Sequence, residues 1–384
     1  MKVRDALAWL QLTRQRGRFF VAIAGIAFAC ILIFMQLGFS ESLFIGATRP
    51  HYLLNADIVI ANPKLQTLLT PKGFPRERLY QASGYKGVDS ISAIQLAILQ
   101  WRNPITHQIR AILLFGIDPL KQSLCIANAD SQLKSLTRFR SILFDQKSRP
   151  EYGPIAEMFS KAGILEIELE NKRVNVTGLF TLGASFAADG TAIAGDTTFS
   201  FLSGSKSARQ IQLGLIKVAP DVSVQAVIEA LRHSYGKEVS VYSRDEFAEI
   251  EKTYWAESTG IGFIFGLGVV VGFIVGVVIV YQILYSDVAD HLPEYATLKA
   301  IGYSDSYFLG VLTKEALILS CTGFLPALIL TFFMYSIAET VTAMPIYMTW
   351  QRATFVFSLS VLMCAISAAI AIRRLREADP ADVF

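Results

Sequence analysis

The sequence predicts an α-helical membrane protein with four transmembrane helices and a large α/β extracytoplasmic domain inserted between helices 1 and 2. Three observations carry that expectation. The 384 residues are 53% hydrophobic and only 17% charged, with a mean hydropathy of +0.43. That is too apolar for an ordinary soluble protein and too charged for a bundle buried wholly in lipid. Four stretches, residues 19–39, 258–286, 316–338 and 353–372, contain no Asp, Glu, Lys or Arg. Each meets the roughly 20 apolar residues that a spanning helix needs. Between the first two lies a long segment with mixed strand and helix patterning. The net charge of +3 gives no nucleic-acid signal.

Residues 1–18, "MKVRDALAWLQLTRQRGR", place Val3, Ala6, Leu7 and Leu10 at helical spacing among cations. They read as an amphipathic helix on the inner membrane face or as a cytoplasmic extension of the first span. The span at 19–39 is too long for a signal-peptide core, its cationic lead is too extended, and no small-x-small cleavage site follows. Lys2, Arg4, Arg14, Arg16 and Arg18 precede it, and Arg373, Arg374 and Arg376 follow the last span. Both termini are therefore expected on the cytoplasmic side of the plasma (inner) membrane, and residues 40–257 outside.

In the outer segment "ADIVIA" (56–61), "HQIRAILLFGIDP" (107–119), "RQIQLGLIKV" (209–218) and "EVSVY" (238–242) read as strands. Helices are expected at "PRERLYQAS" (75–83) and "SVQAVIEALRHSYG" (223–236), with Ser223 able to cap the latter and Gly236 to end it. The recurrence of strand–helix–strand suggests a duplicated lobe. Residues 174–202, rich in Gly, Ser and Thr, read as an inserted β-rich subdomain.

The second span, 258–286, carries Gly268, Gly272 and Gly276 four residues apart, preceded by Gly262 and Gly266. Such a strip lets helix backbones approach closely, in this chain or between two copies. Residues 287–310 form the expected cytoplasmic loop. Pro293 and Glu294 can open a short helix there, Tyr295, Leu298 and Ile301 share a face, and Gly302 can end it. That helix suits either docking of a cytoplasmic partner or rest on lipid headgroups. The third span (311–338), a short outer loop (339–352), the fourth span (353–372) and a cytoplasmic tail (373–384) complete the chain. Lys314 and Glu315 lie at the cytoplasmic edge of the third span, where a helix-end polar role is expected.

The chemistry of an enzyme is not visible. The sequence has no P-loop, no H-E-x-x-H, no C-x-x-C and no G-x-S-x-G. Its four histidines, His51, His107, His233 and His291, are scattered and read as surface or satisfied structural groups. Of the cysteines, Cys30, Cys321 and Cys364 fall inside spans and Cys125 outside, so no disulfide framework is expected. The spans are also poor in the midplane charges that an ion-coupled carrier would place there.

"PEYATLKAIGYSDSYFLGVLTKEALIL" (293–319) resembles the E-x-x-x-L-(K/R)-A-(I/L)-G signature, followed by an E-A motif, of MacB/FtsX-type ABC transporter permeases. The ending "READPADVF" is similar to that family's D/E-P-A ending, and "LAWLQLTRQRGRF", "MQLGF" and "LFTLGASFAADGTAI" resemble DevC-type permeases of cyanobacterial exporters. The resemblance implies ATPase-coupling roles for Glu294, Leu298, Lys299, Ala300 and Gly302, with Glu315 and Ala316 in the motif that follows. It also implies a homodimer of permease copies, a separate ABC ATPase subunit that binds the ATP, and no cofactor on this chain. A membrane-fusion adaptor and a TolC-like outer-membrane duct complete the implied assembly, with glycolipid among the cargoes. A lipoprotein-releasing permease and a transmembrane regulator of cell-wall hydrolases are the alternatives.

Overall fold

The computed structural model describes residues 16–126, 129–184, 188–204, 209–290, 301, 305–342 and 344–377. Most of the expected N-terminal amphipathic helix and the end of the expected tail lie outside them. Two compact units are formed. One comprises Met1–Glu41, Ile261–Val341 and Ile346–Phe384, the other Ser42–Gly260 with Thr342–Pro345.

Among the described residues, four helices are long and apolar enough to cross a membrane. They are α1 (Arg16–Tyr52), α8 (Ile261–Asp290), α9 (Asp305–Thr342) and α10 (Trp350–Glu377). The mixed domain is inserted between the first and second of these. With 37 residues, α1 is about 55 Å long, well beyond the roughly 30 Å of a hydrocarbon core. It therefore contributes residues to both units. Pro50, which cannot donate a backbone hydrogen bond, lies in its final turn.

The membrane unit packs around Ile26, Ala29, Ile33, Phe34, Val280, Leu284, Leu319, Val356 and Met363, all buried. Phe263, Val270, Ile274, Ile329, Phe332 and Phe333 point outward. That inversion is unremarkable for lipid-facing helices, since hydrocarbon solvates such side chains. Hydroxyl groups supply the polar links that packing alone lacks. Ser320 and Ser360 lie 3.0 Å apart, oxygen to oxygen, across α9 and α10. The Ser367 hydroxyl donates to the Val277 carbonyl on α8 at 2.8 Å.

In the second unit the chain runs β1 (Ile58–Ala61), β2 (Phe74–Pro75), α2 (Arg76–Ala82), β3 (Val88–Arg102) and β4 (Ile109–Ile117). It continues through α3 (Ala129–Ser135), β5 (Ser141–Asp145), a 3₁₀ turn (Pro150–Tyr152), α4 (Ile155–Ala162), β6 (Leu165–Leu169) and β7 (Lys172–Phe180). The last part holds β8 (Thr191–Gly195), α5 (Asp196–Ser203), β9 (Gln210–Ile211), β10 (Leu213–Val218), α6 (Val224–Tyr235), β11 (Ser240–Ser243) and α7 (Arg244–Thr253). A π-helical turn, Tyr254–Ser258, closes the unit.

Nine strands form one sheet in the order β11-β1-β10-β3-β4-β8-β5-β7-β6. Its first four strands are mutually antiparallel and carry α2 and α6 on one face, where Leu79, Ala82, Val227, Ile228 and Leu231 pack on Ile58, Ile60 and Ile216. This is the split β-α-β arrangement. The two strand–helix–strand units therefore interleave in one sheet instead of forming two lobes. The second strand of the first unit is β3, which the patterning left unassigned, and not 107–119, which is β4.

The reason is physical. At 15 residues β3 has three neighbours, pairing β10 at its start, β4 along most of its length and β6 at Trp101 and Arg102. Its burial pattern changes along its length, so no single alternation marks it. The β3–β6 pairing curls strands β3, β4, β8, β5, β7 and β6 back on themselves around Trp101, Phe144, Tyr152, Ile167 and Phe199. The inserted subdomain thus begins before residue 174. Between β6 and β7, Glu170 and Asn171 both have positive φ, as a two-residue type I′ hairpin requires. Ser223 stands at the start of α6 but makes no side-chain cap bond, whereas Ser243 and Glu246 form a full capping box on α7.

Candidate functional site

The glycines of α8 meet α1 and α10 inside the membrane unit. A Cβ on Gly268 would lie 2.5 Å from the Gln36 side chain, and one on Gly272 3.1 Å from Ile33 Cγ1. One on Gly276 would lie 3.0 Å from Ala29 Cβ and collide with the Met363 sulfur. Gly25 on α1 and Gly323 on α9 make equally close approaches, to Ile279 and Ile26. Gly266, by contrast, faces open space. The three glycines of the strip thus contact helices of the same chain.

Of the expected coupling residues, Glu294, Leu298, Lys299, Ala300 and Gly302 lie outside the described residues. Their neighbour Ile301 is exposed. Asp290, the last residue of α8, pairs with Arg18 on α1. Glu315 is not at a helix end, because α9 begins at Asp305. It is fully buried beside Ala316, and neither carboxyl oxygen has a hydrogen-bond partner among the described residues. Asp287 on α8 is a charged neighbour. A buried acid within a spanning segment is costly.

A polar cluster that the sequence reading did not single out ties α1, α9 and α10 together. Arg352 is buried, pairs with Glu41, and donates to the Tyr347 carbonyl at 3.0 Å. Its guanidinium lies 5.4 Å from the centre of the Tyr335 ring, and the Tyr335 hydroxyl donates to the Phe34 carbonyl. A lone cation beside an apolar run gave only a boundary signal.

In the second unit the last turn of α1 is anchored three times. Arg49 donates to the Leu182 carbonyl at 3.3 Å and interacts with buried Asp145. Asp145 itself accepts the N–H groups of Leu182 (2.9 Å), Gly183 (2.8 Å) and Lys147 (3.1 Å). Burial pushes its carboxyl up, and these donors with Arg49 oppose that shift. Tyr52 lies under the Arg244 guanidinium, 5.9 Å away. His51 is buried 3.6 Å from Glu251 and packs on Phe247. No ligand spacing surrounds His51, and its partner lies in another element far along the chain. Among the described residues no cluster of His, Cys, Asp or Glu is suited to a metal ion.

Four apolar helices with tight glycine contacts and an inserted mixed domain define an integral membrane protein with a large extramembrane domain. Residues 261–380, which span α8 to α10, match the family model described as FtsX-like permease C-terminal. No curated protein matches the chain. Among solved structures, the periplasmic region of MacB from Actinobacillus actinomycetemcomitans is similar at 12% identity, covering 51% of this chain and 92% of that one, with a TM-score of 0.34. The extracellular domain of the noncanonic ABC-type transporter YknZ from Gram-positive bacteria is similar at 14% identity, covering 49% and 100%, with a TM-score of 0.33.

Proposed function

We propose that this chain is the permease subunit of an ABC exporter, which couples ATP hydrolysis on a separate ATPase to movement of its outer domain. The observation that carries the reading is the FtsX-like permease match over the last three membrane helices, joined to an outer domain inserted after the first. The anchored end of α1 supports it, because a helix held by Arg49, His51 and Tyr52 can pass displacement to the sheet. The chain contributes no nucleotide site or catalysis of its own in this reading. It works as a homodimer whose outer domains drive cargo, glycolipid among the candidates, through a membrane-fusion adaptor and an outer-membrane duct.

The loop at 287–310 is the proposed contact with the ATPase, through Glu294, Leu298, Lys299, Ala300 and Gly302. Leu298→Asp places a charge on the apolar face of that contact. In reconstituted complexes the variant is expected to reduce ATP-driven export at least tenfold while the outer domain stays folded by circular dichroism. Export at the unmodified rate would contradict the assignment.

A further inference from the structure

Glu251 occupies an unusual position in the outer unit. It belongs to α7, is 1% exposed, and touches three separate pieces of chain. The Thr67 hydroxyl donates to Oε1 at 2.6 Å, and the Trp255 indole N–H donates to the same oxygen at 2.8 Å. The Leu68 backbone N–H donates to Oε2 at 2.9 Å, and His51 Nε2 lies 3.6 Å from that atom. A buried carboxylate is tolerated only where donors replace its lost water, and here they come from the loop at 67–68 and the π turn, while the His51 imidazole at the end of α1 packs beside them.

The π turn is the weakest of these pieces by its own geometry. A π turn is rare and is seen mostly as a single turn within helices, frequently at functional positions. Trp255, on Tyr254–Ser258, ties the turn back to Glu251 through its indole N–H. Two features leave the turn free to move once released. Gly260 follows with φ +71° and open space where a side chain would be. An open groove of ≈ 400 Å³ also runs beside Ile250, Thr253, Tyr254 and Ser258.

We infer that Glu251 is a shared release latch, holding the end of α1, the 67–68 loop and the π turn so that the three loosen together. Packing links only some of these pieces: Phe247 bridges His51 and Tyr242, whereas Trp255 meets Tyr254 within the turn itself. A single acceptor makes their opening cooperative, since removing one donor weakens the site that holds the others. The inference rests on the outer unit alone and does not depend on the proposed transport cycle.

The test is hydrogen exchange by mass spectrometry on the full chain in lipid nanodiscs, comparing the unmodified protein with Trp255→Phe and Thr67→Val. Trp255→Phe removes the indole N–H donor with part of the ring, and Thr67→Val removes the hydroxyl donor together with the acceptor of the Leu69 N–H. Loss of a hydrogen bond to a charged group is worth about tenfold to a hundredfold in an opening equilibrium. Both variants are expected to exchange faster by about that factor at 48–54, 65–70 and 252–259 together, with Ser141–Asp145 unchanged. Acceleration confined to the substituted segment would overturn the latch. So would a uniform rise that includes Ser141–Asp145, because it would assign Glu251 to general stability.

Discussion

Gly276 and Gly266 lie on the same helix and meet opposite surroundings, one tight against Ala29 and Met363, the other open. Overpacking a filled interface costs typically 1–3 kcal/mol. Gly276→Leu is therefore expected to lower the thermal midpoint of the detergent-solubilised chain, and Gly266→Leu to leave it within error. Equal midpoints for the two variants would remove the packing role. Glu251 makes a different prediction. Burial pushes its carboxyl above the ordinary value of 4.5, opposed by its three donors. A raised folded-state value means that stability is fullest below the ordinary value and declines as pH rises through the raised one. Glu251→Gln is expected to flatten that decline in thermal scans of the full chain at stepped pH. The glycine spacing was legible in the sequence because helix geometry alone puts residues four apart on one face. The Glu251 cluster was not, because Thr67 lies 184 residues away and only the fold joins them.

Elements differ in the same way. The four spanning helices could be read directly, since lipid imposes length and polarity on each one locally. Their ends could not. The helices α1 and α9 run past their apolar cores because polar residues beyond the hydrocarbon still favour helix. That is why Glu315 proves interior to α9, where a helix end was expected. Strands β1, β4, β10 and β11 were read, but β2, β3, β5 and β6 were not; in β3, neighbours on both edges and a changing burial pattern erase the two-residue period. The Tyr335 hydroxyl on α9, bonded to the Phe34 carbonyl on α1, fixes two of these long helices against each other. Tyr335→Phe keeps the ring under Arg352 and removes the hydroxyl that bonds the Phe34 carbonyl and meets the Arg352 guanidinium. It is expected to cost about 1 kcal/mol, read from the urea dependence of unfolding in mixed micelles. No change would mean that ring packing alone sets the contact.

At the scale of the whole molecule, the sequence conveyed the architecture more fully than the mechanism. An apolar–mixed–apolar chain can fold in few ways, so one helix, an inserted domain and three further helices follow from hydropathy. The proposed coupling rests on a short polar segment and on partners, neither of which hydropathy reads. The central claim, a permease subunit driven by a separate ATPase, makes the chain's binding partners decisive. The most direct measurement is gentle purification of the tagged full-length chain from its native membrane, followed by mass spectrometry of the proteins retained. The account predicts an ABC ATPase at stoichiometric yield together with a membrane-fusion adaptor. An ATPase with a cell-wall hydrolase factor, or with no adaptor, would contradict the export route and favour signalling or lipoprotein release. An intact complex without any ATPase would contradict the central claim itself.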